Sequence, residues 1–309
     1  MNPTPKGWPR ISQSAFYKDP QRMIDWLCAA FGFELRLKVD GEAGKLVHSE
    51  LVLPGGLVMV GGEHGTGDAS DPVRKDFVAP ASVGGGNTQN MFVYVDDIDA
   101  HCARARAAGA TITIEPAVSD YGEDHWADRG YECIDAGGHR WWFAQRLSTG
   151  ATFTPKLDAG DLGPSAPPPK GWPRISSGLY YTDPHAAIDW LCEAFGFEVQ
   201  IKVEGEAGAL VHSELVYGGG LVMVSDCARD GAKWPHRKAP REIGNANTQS
   251  LFVHVDDAKA HHARAVAAGA EVIQDLKVSD YGEAYWSDLG YGARDIGGHQ
   301  WWFSQRLRG

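Results

Sequence analysis

The chain has 309 residues, 43% hydrophobic and 22% charged, the balance of a globular protein with room for about two domains. Lys and Arg number 29 against 40 Asp and Glu, a net charge of -11 that argues against wrapping a phosphate backbone. No apolar run approaches a membrane span, and the opening MNPTPKGWPR lacks the charged-then-apolar pattern of a secretory leader. The expectation is a cytoplasmic protein with neither nucleic-acid nor membrane partners, its five cysteines free thiols.

In chain order, Ile11–Tyr17 is a β-branched and aromatic run that predicts a strand. Asp19 and Pro20 then provide an N-cap and a first-turn proline. Ile24, Leu27 and Phe31 follow at helical spacing before Gly32. Leu35–Val39, Leu46–Leu53 and Leu57–Val60 predict three strands, divided by Asp40-Gly41 and Pro54-Gly55-Gly56. After a Gly-rich loop, Gly61–Gly86, the order recurs. Met91–Val95 predicts a strand, and Asp96/Asp97 cap a helix with Ile98, Cys102 and Ala105 on one side and Gly109 at its end. Thr111–Ile114, Gly130–Ile134 and Arg140–Gln145 predict three closing strands. Each half of this segment is a βαβββ module.

The whole pattern is then written again. PKGWPRIS at 5–12 returns at 169–176, GGLVMV at 55–60 recurs at 219–224 within the same frame, and GGHRWWFAQRL is answered by GGHQWWFSQRL. Ten of the eleven tryptophans pair across the copies; Trp234 alone does not. The expected organisation is a first domain at 1–147, a Pro/Gly-rich linker at 148–168 and a second domain at 169–309, with four modules in all.

The strand–DP–helix–FGF opening, the VDD-x-x-A-x-x-A-R-A helix and the GGH-x-W ending make the chain resemble the vicinal oxygen chelate superfamily, which includes glyoxalase I, bleomycin-resistance proteins and extradiol dioxygenases. Within it, the chain looks like the small PhnB-like proteins. The resemblance implies an α+β fold whose modules pair into two cup-shaped mixed sheets with ligand sites in the concavities. It also implies a homodimer fused into one pseudo-dimeric chain, with a further homodimer left open. Metal-using relatives place His, Gln or Glu at four strand positions, which here fall at Ser12, Met59, Asn90 and Trp142, and in the second copy at Ser176, Met223, Ser250 and Trp302. None is a His or a carboxylate, an indole cannot ligate and a thioether does not suit a hard divalent cation, so no metal and no cofactor is expected.

Ser14 and Phe92, with Phe252 in the second copy, share faces with those positions. Together they describe an aromatic, soft, hydrogen-bonding floor, with filling of the cup by its own side chains as the competing reading. His48 and Glu50, repeated as His212 and Glu214, stand two apart on a strand and so share a face, as an acid/base pair or as a rim pair. His139 and His299 are expected to lock a turn, while His101, His261 and His262 are expected in solvent on a polar helix face. The VSDYGE segments, with Asp120, Tyr121, Glu123, Trp126 and Asp128, read as strand connections lining a wall, and His125 lacks a histidine counterpart. The loop at 225–246 is basic and carries Trp234, whereas the loop at 61–86, with Asp68, is mixed. The leading expectation is metal-independent binding of a small aromatic or apolar compound. The alternatives are a lyase or isomerase using the His/Glu pairs, or a metal enzyme with displaced ligands.

Overall fold

The computed structural model describes residues 1–64, 71, 73–121, 126–149, 172–228, 233–283 and 285–308. From residue 150 onward the expected linker lies outside these, as do Asp68, Glu123, His125, Arg229 and Asp230. Repeat one runs β1 Ile11–Tyr17, α1 Pro20–Phe31, β2 Glu34–Asp40, β3 Leu46–Leu53, β4 Gly56–Gly62, β5 Gln89–Tyr94, α2 Ile98–Ala107, β6 Thr111–Asp120, β7 Trp126–Ile134 and β8 Arg140–Thr149. Repeat two follows with β9 Ile175–Tyr181, α3 Pro184–Phe195, β10 Glu198–Glu204, β11 Leu210–Tyr217, β12 Gly220–Asp226, β13 Gln249–His254, α4 Ala258–Ala267, β14 Glu271–Asp280, β15 Ser287–Arg294 and β16 Gln300–Arg308. No helix among the described residues is long and apolar enough to cross a membrane.

The helix signals work as local chemistry. Asp19 accepts from the Arg22 amide, Pro20 opens α1, and Gly32 closes it in the left-handed region at φ 77. β6, β7 and β8 run longer than the sequence suggests. β6 and β7 form an extended hairpin instead of short strands joined by a connection, so Asp120, Trp126 and Asp128 are ladder residues. Pro116, which cannot donate, falls in the register shift between Ile114 and Ala117.

The strands assemble into two eight-stranded sheets, ordered β14-β15-β16-β13-β1-β4-β3-β2 and β10-β11-β12-β9-β5-β8-β7-β6. Each sheet therefore takes one module from each repeat. The join is β1 antiparallel to β13 in one sheet and β5 antiparallel to β9 in the other. Helices pair differently: α1 packs on α2, and α3 on α4. One core accordingly holds Leu27, Phe31, Met91, Trp141 and Phe143 of repeat one, and another holds Leu191, Phe195, Leu251, Trp301 and Phe303 of repeat two. The helical core belongs to the repeat, and the cup belongs to the junction between repeats.

This arrangement predicts the behaviour of half the chain. Residues 1–147 alone would leave β1 and β5 as open sheet edges, which seek partners. Light scattering should give twice the mass of that fragment; a stable monomer would contradict the shared sheets.

Candidate functional site

Strand alternation places the two faces of each sheet. Ala15, Met91, Trp141, Val93 and Phe143 enter the helical cores, so their neighbours Ser14, Asn90, Phe92 and Trp142 face the concave side. In the first cup, Ser14 stands opposite both Met59 and Ser250, Ser12 opposite Phe252, and Phe252 opposite Trp302. In the second, Gly178 stands opposite Met223 and Asn90, and Phe92 opposite Ser176 and Trp142. The floor expected from repeat one alone is thus divided: Ser12, Ser14 and Met59 belong to one cup, and Asn90, Phe92 and Trp142 to the other. Sequence patterning identifies a strand's buried face but not its partner, and the partners here come from the other repeat.

The cups differ in detail. A Cβ at Gly178 would meet Asn90 Oδ1 at 2.3 Å, so Asn90 uses space that Ser14 keeps in the first cup. Glu132 stands opposite Trp142, whose indole lies against Gly130, whereas Trp302 lies against Gly292, the residue matching Glu132.

The His/Glu pairs come together as their spacing predicts. His48 Nε2 lies 2.9 Å from Glu50 Oε1, and His212 Nε2 lies 2.9 Å from Glu214 Oε1. Both carboxylates are buried, and their second oxygens distinguish them. Glu50 accepts from the Arg36 guanidinium at 2.6 Å, Glu214 from the neutral Gln200 amide at 2.7 Å. Burial pushes the Glu50 carboxyl up, but the hydrogen bonds and charges of His48 and Arg36 outweigh it and leave it below the usual range.

Tryptophans of the KGWPR arms lie across the cups. Trp8 sits 5.6 Å from Phe252 and 6.3 Å from Trp286, with the Arg36 guanidinium 5.3 Å from its ring. Trp172 sits 5.3 Å from Phe92 and 6.0 Å from Trp126, and its buried Nε1 has no hydrogen-bond partner. Beneath, Tyr94 donates to Asp128, as does Trp126, while burial pushes that carboxyl up to about 6. Phe92, Met223 and Trp142 stay half-buried on the floor of the second cup, as do Met59, Phe252 and Trp302 in the first. Two outer concavities, about 330 and 240 Å³, are lined by residues such as Arg106 and Glu115 or Arg104 and Arg174, and touch none of these floor residues.

The sequence pattern of the Glyoxalase/Bleomycin resistance protein/Dioxygenase superfamily matches residues 11–143 and again 175–303. The chain belongs to this superfamily. Glyoxalase I from Zea mays shares the fold with a TM-score of 0.61 at 13% identity, over 96% of this chain and 90% of that one. An uncharacterized protein of Mycobacterium bovis is 30% identical over 44% of this chain and 83% of its own length. A Mycobacterium tuberculosis counterpart is 30% identical over 74% of its length.

Metal-dependent members of the superfamily need convergent oxygen and nitrogen donors. The floors here offer Ser, Met, Phe, Trp and Asn, and no three His, Cys, Asp or Glu residues converge among the described residues. A thioether and an indole do not fit a hard divalent cation.

Other histidines of this superfamily member depart from expectation. His101 and His261 are buried, not solvated: each bonds a tyrosine hydroxyl (Tyr131, Tyr291) at 2.7 Å and a helix-end carbonyl (Phe31, Phe195). Their helices are covered by both a sheet and a second helix, so the buried face is wider than the apolar stripe. His262 is half-buried, 3.6 Å from Asp275. His139 and His299 hold their turns through Phe16 and Tyr180 carbonyls. His254, the counterpart of Tyr94, escaped the sequence reading; only the side-by-side comparison of YVDD with HVDD marks it.

Proposed function

We propose that the chain is a metal-independent binding protein for aromatic or apolar organic compounds, held in the two cups. One observation carries the reading: each floor sets a tryptophan, a phenylalanine and a methionine, all half-buried, around a small hydrogen-bonding residue, beneath an arm tryptophan. Such surfaces hold planar rings and use few polar groups to orient them. The reading extends to a PhnB-like, cytoplasmic protein, in keeping with five free cysteines. Titration with 2-naphthamide should quench intrinsic tryptophan fluorescence, and Trp142→Ala with Trp302→Ala should weaken binding about tenfold. Saturating zinc or magnesium should leave Tm within about 1 °C, since binding to the native state alone would raise it. Silence on titration, or metal-dependent stabilisation, would overturn the proposal.

One feature favours a second reading, proton transfer in the second cup. Glu214 is fully buried and orients His212 with no cation on its other oxygen. Turnover of an enolisable compound that is lost in Glu214→Gln with binding intact would support it.

A further inference from the structure

The loops that close the cups at one end differ in length, but their stretches at 73–86 and 233–246 match position for position with different chemistry. Both are pinned alike, Phe77 bridging to Asn247 and Arg237 to Asn87. In the first cup, Phe77 stacks on Phe16 at 4.1 Å and lies 6.4 Å from Trp302. Beside it, Arg294 is bonded by both Asp76 and Glu271. In the second cup, Arg237 replaces Phe77, Tyr180 replaces Phe16, Ile134 replaces Arg294, and Arg140 replaces Gln300.

The Arg237 guanidinium lies 5.2 Å from the Tyr180 ring centre and 4.8 Å from that of Trp234, the tryptophan without a counterpart. Its Nε is buried without a hydrogen-bond partner, and no carboxylate stands at ion-pair distance among the described residues. The adjacent Arg140 is already committed to Glu132. Burial, followed by the charges of Arg140 and Arg237, drives the intervening His236 down to about 3, so it is neutral. Two guanidinium groups against one carboxylate leave one positive charge here. The matching end of the first cup sets the Arg294 guanidinium between two carboxylates, Asp76 and Glu271, and Glu271 also pairs with Arg241, so charge balances there. Lys233 lies 5.2 Å from the Trp234 ring, and with Lys238 it matches in number the Arg74 and Lys75 of the first loop.

We infer that the second cup takes an aromatic monocarboxylate, its ring on the Trp142–Phe92–Met223 floor and its carboxylate on Arg237, while the first cup takes uncharged compounds. The inference rests on the binding reading above and names the ligand class of one cup. Tyr180 is two residues from Gly178 on the same face of β9, about 7 Å away, so one fused ring system spans floor to guanidinium. A guanidinium has more donors than its aromatic neighbours can use, and a pair of them matches the two oxygens of a carboxylate. A single uncompensated charge suits a monoanion better than a phosphate dianion.

The matched probes 2-naphthoate and 2-naphthamide, titrated calorimetrically into the full chain at neutral pH, separate charge from shape. One molecule of 2-naphthoate should bind per chain at low concentration, and added salt should weaken it alone. Arg237→Phe, which installs the residue of the matching position, should weaken 2-naphthoate at least about tenfold and 2-naphthamide less than about twofold. Arg237→Gln should do the same, and guards against a folding defect in the first variant. Equal loss of both probes, unchanged 2-naphthoate affinity, or equal occupancy of both cups by 2-naphthoate would overturn this inference alone. Binding of neither probe would overturn it together with the reading on which it rests.

Discussion

Replacing Asp135 by alanine should lower the free energy of unfolding by on the order of 4 kcal/mol, more than any single substitution on a cup floor. Asp135 lies at the entry to β8, buried, and its two oxygens organise four donors. Oδ2 accepts from the Tyr17 hydroxyl at 2.6 Å and from Trp141 Nε1 at 2.9 Å, while Oδ1 accepts from the Gly137 and His139 amides. Removing the carboxylate strands at least three buried donors at about 1–3 kcal/mol each, partly relieved by water entering the gap. The site also leaves no slack. A Cβ at Gly137 would lie 2.2 Å from the Tyr17 ring, so only glycine lets that ring reach the carboxylate. Asp295 repeats the network with Tyr181 and Trp301, so Asp295→Ala should cost a similar amount. Urea unfolding of the two variants tests both statements, and a loss under about 1 kcal/mol in either would contradict the network's role.

Acid should destabilise the protein across the window from about pH 6.5 to about pH 4, by a net amount on the order of 5 kcal/mol. Burial lowers His101 and His261 from their ordinary value of 6.5 to about 4, and His254 to about 3. These imidazoles are neutral in the folded protein. Above 6.5 both folded and unfolded forms are neutral and the groups exact no penalty. Below 6.5 the unfolded chain takes up protons that the folded chain refuses, and stability falls until the folded pKa is reached. Each gap, about 2.5 to 3.5 units, is worth roughly 3–5 kcal/mol. Two aspartates work in the opposite sense. Burial raises Asp128 to about 6 and also raises Asp288, so their folded carboxyls protonate first and recover part of the loss. Unfolding free energies at pH 7 and pH 4.5, with imidazole proton shifts read by NMR, check the sign and its source. A flat profile would show that these histidines are not held neutral.

Much of the fold was legible because its signals are local. The Asp19-Pro20 and Gly32 boundaries of α1 follow from capping chemistry within a single turn. The facing of His48 toward Glu50 follows from strand alternation alone. The failures share a cause as well. His101 looked solvated because its helix carries alanines and arginines around it, and the group that buries it, the Tyr131 hydroxyl, arrives from a strand thirty positions on. β6 runs past its expected end at Ile114 because Pro116 falls in a register shift and the VSDYGE segment, expected as a connection, keeps pairing as far as Asp120. Arg237 is one of several cations in the basic loop at 225–246, and its place over Tyr180 follows only from the bridge that pins it to Asn87.

The paired tryptophans and the four modules are properties of the sequence, since duplication and periodicity survive without any knowledge of contacts. So is the absence of His and carboxylate residues at the positions that the family resemblance assigns to metal ligands. Which module completes which cup was decided only in three dimensions. β1 offers the same alternating faces to any partner, and its union with β13 instead of β5 depends on how the helices of each repeat pack together. That choice sets Trp302, not Trp142, in the sheet of Ser12 and Met59, and it turns two near-identical repeats into two cups with different linings.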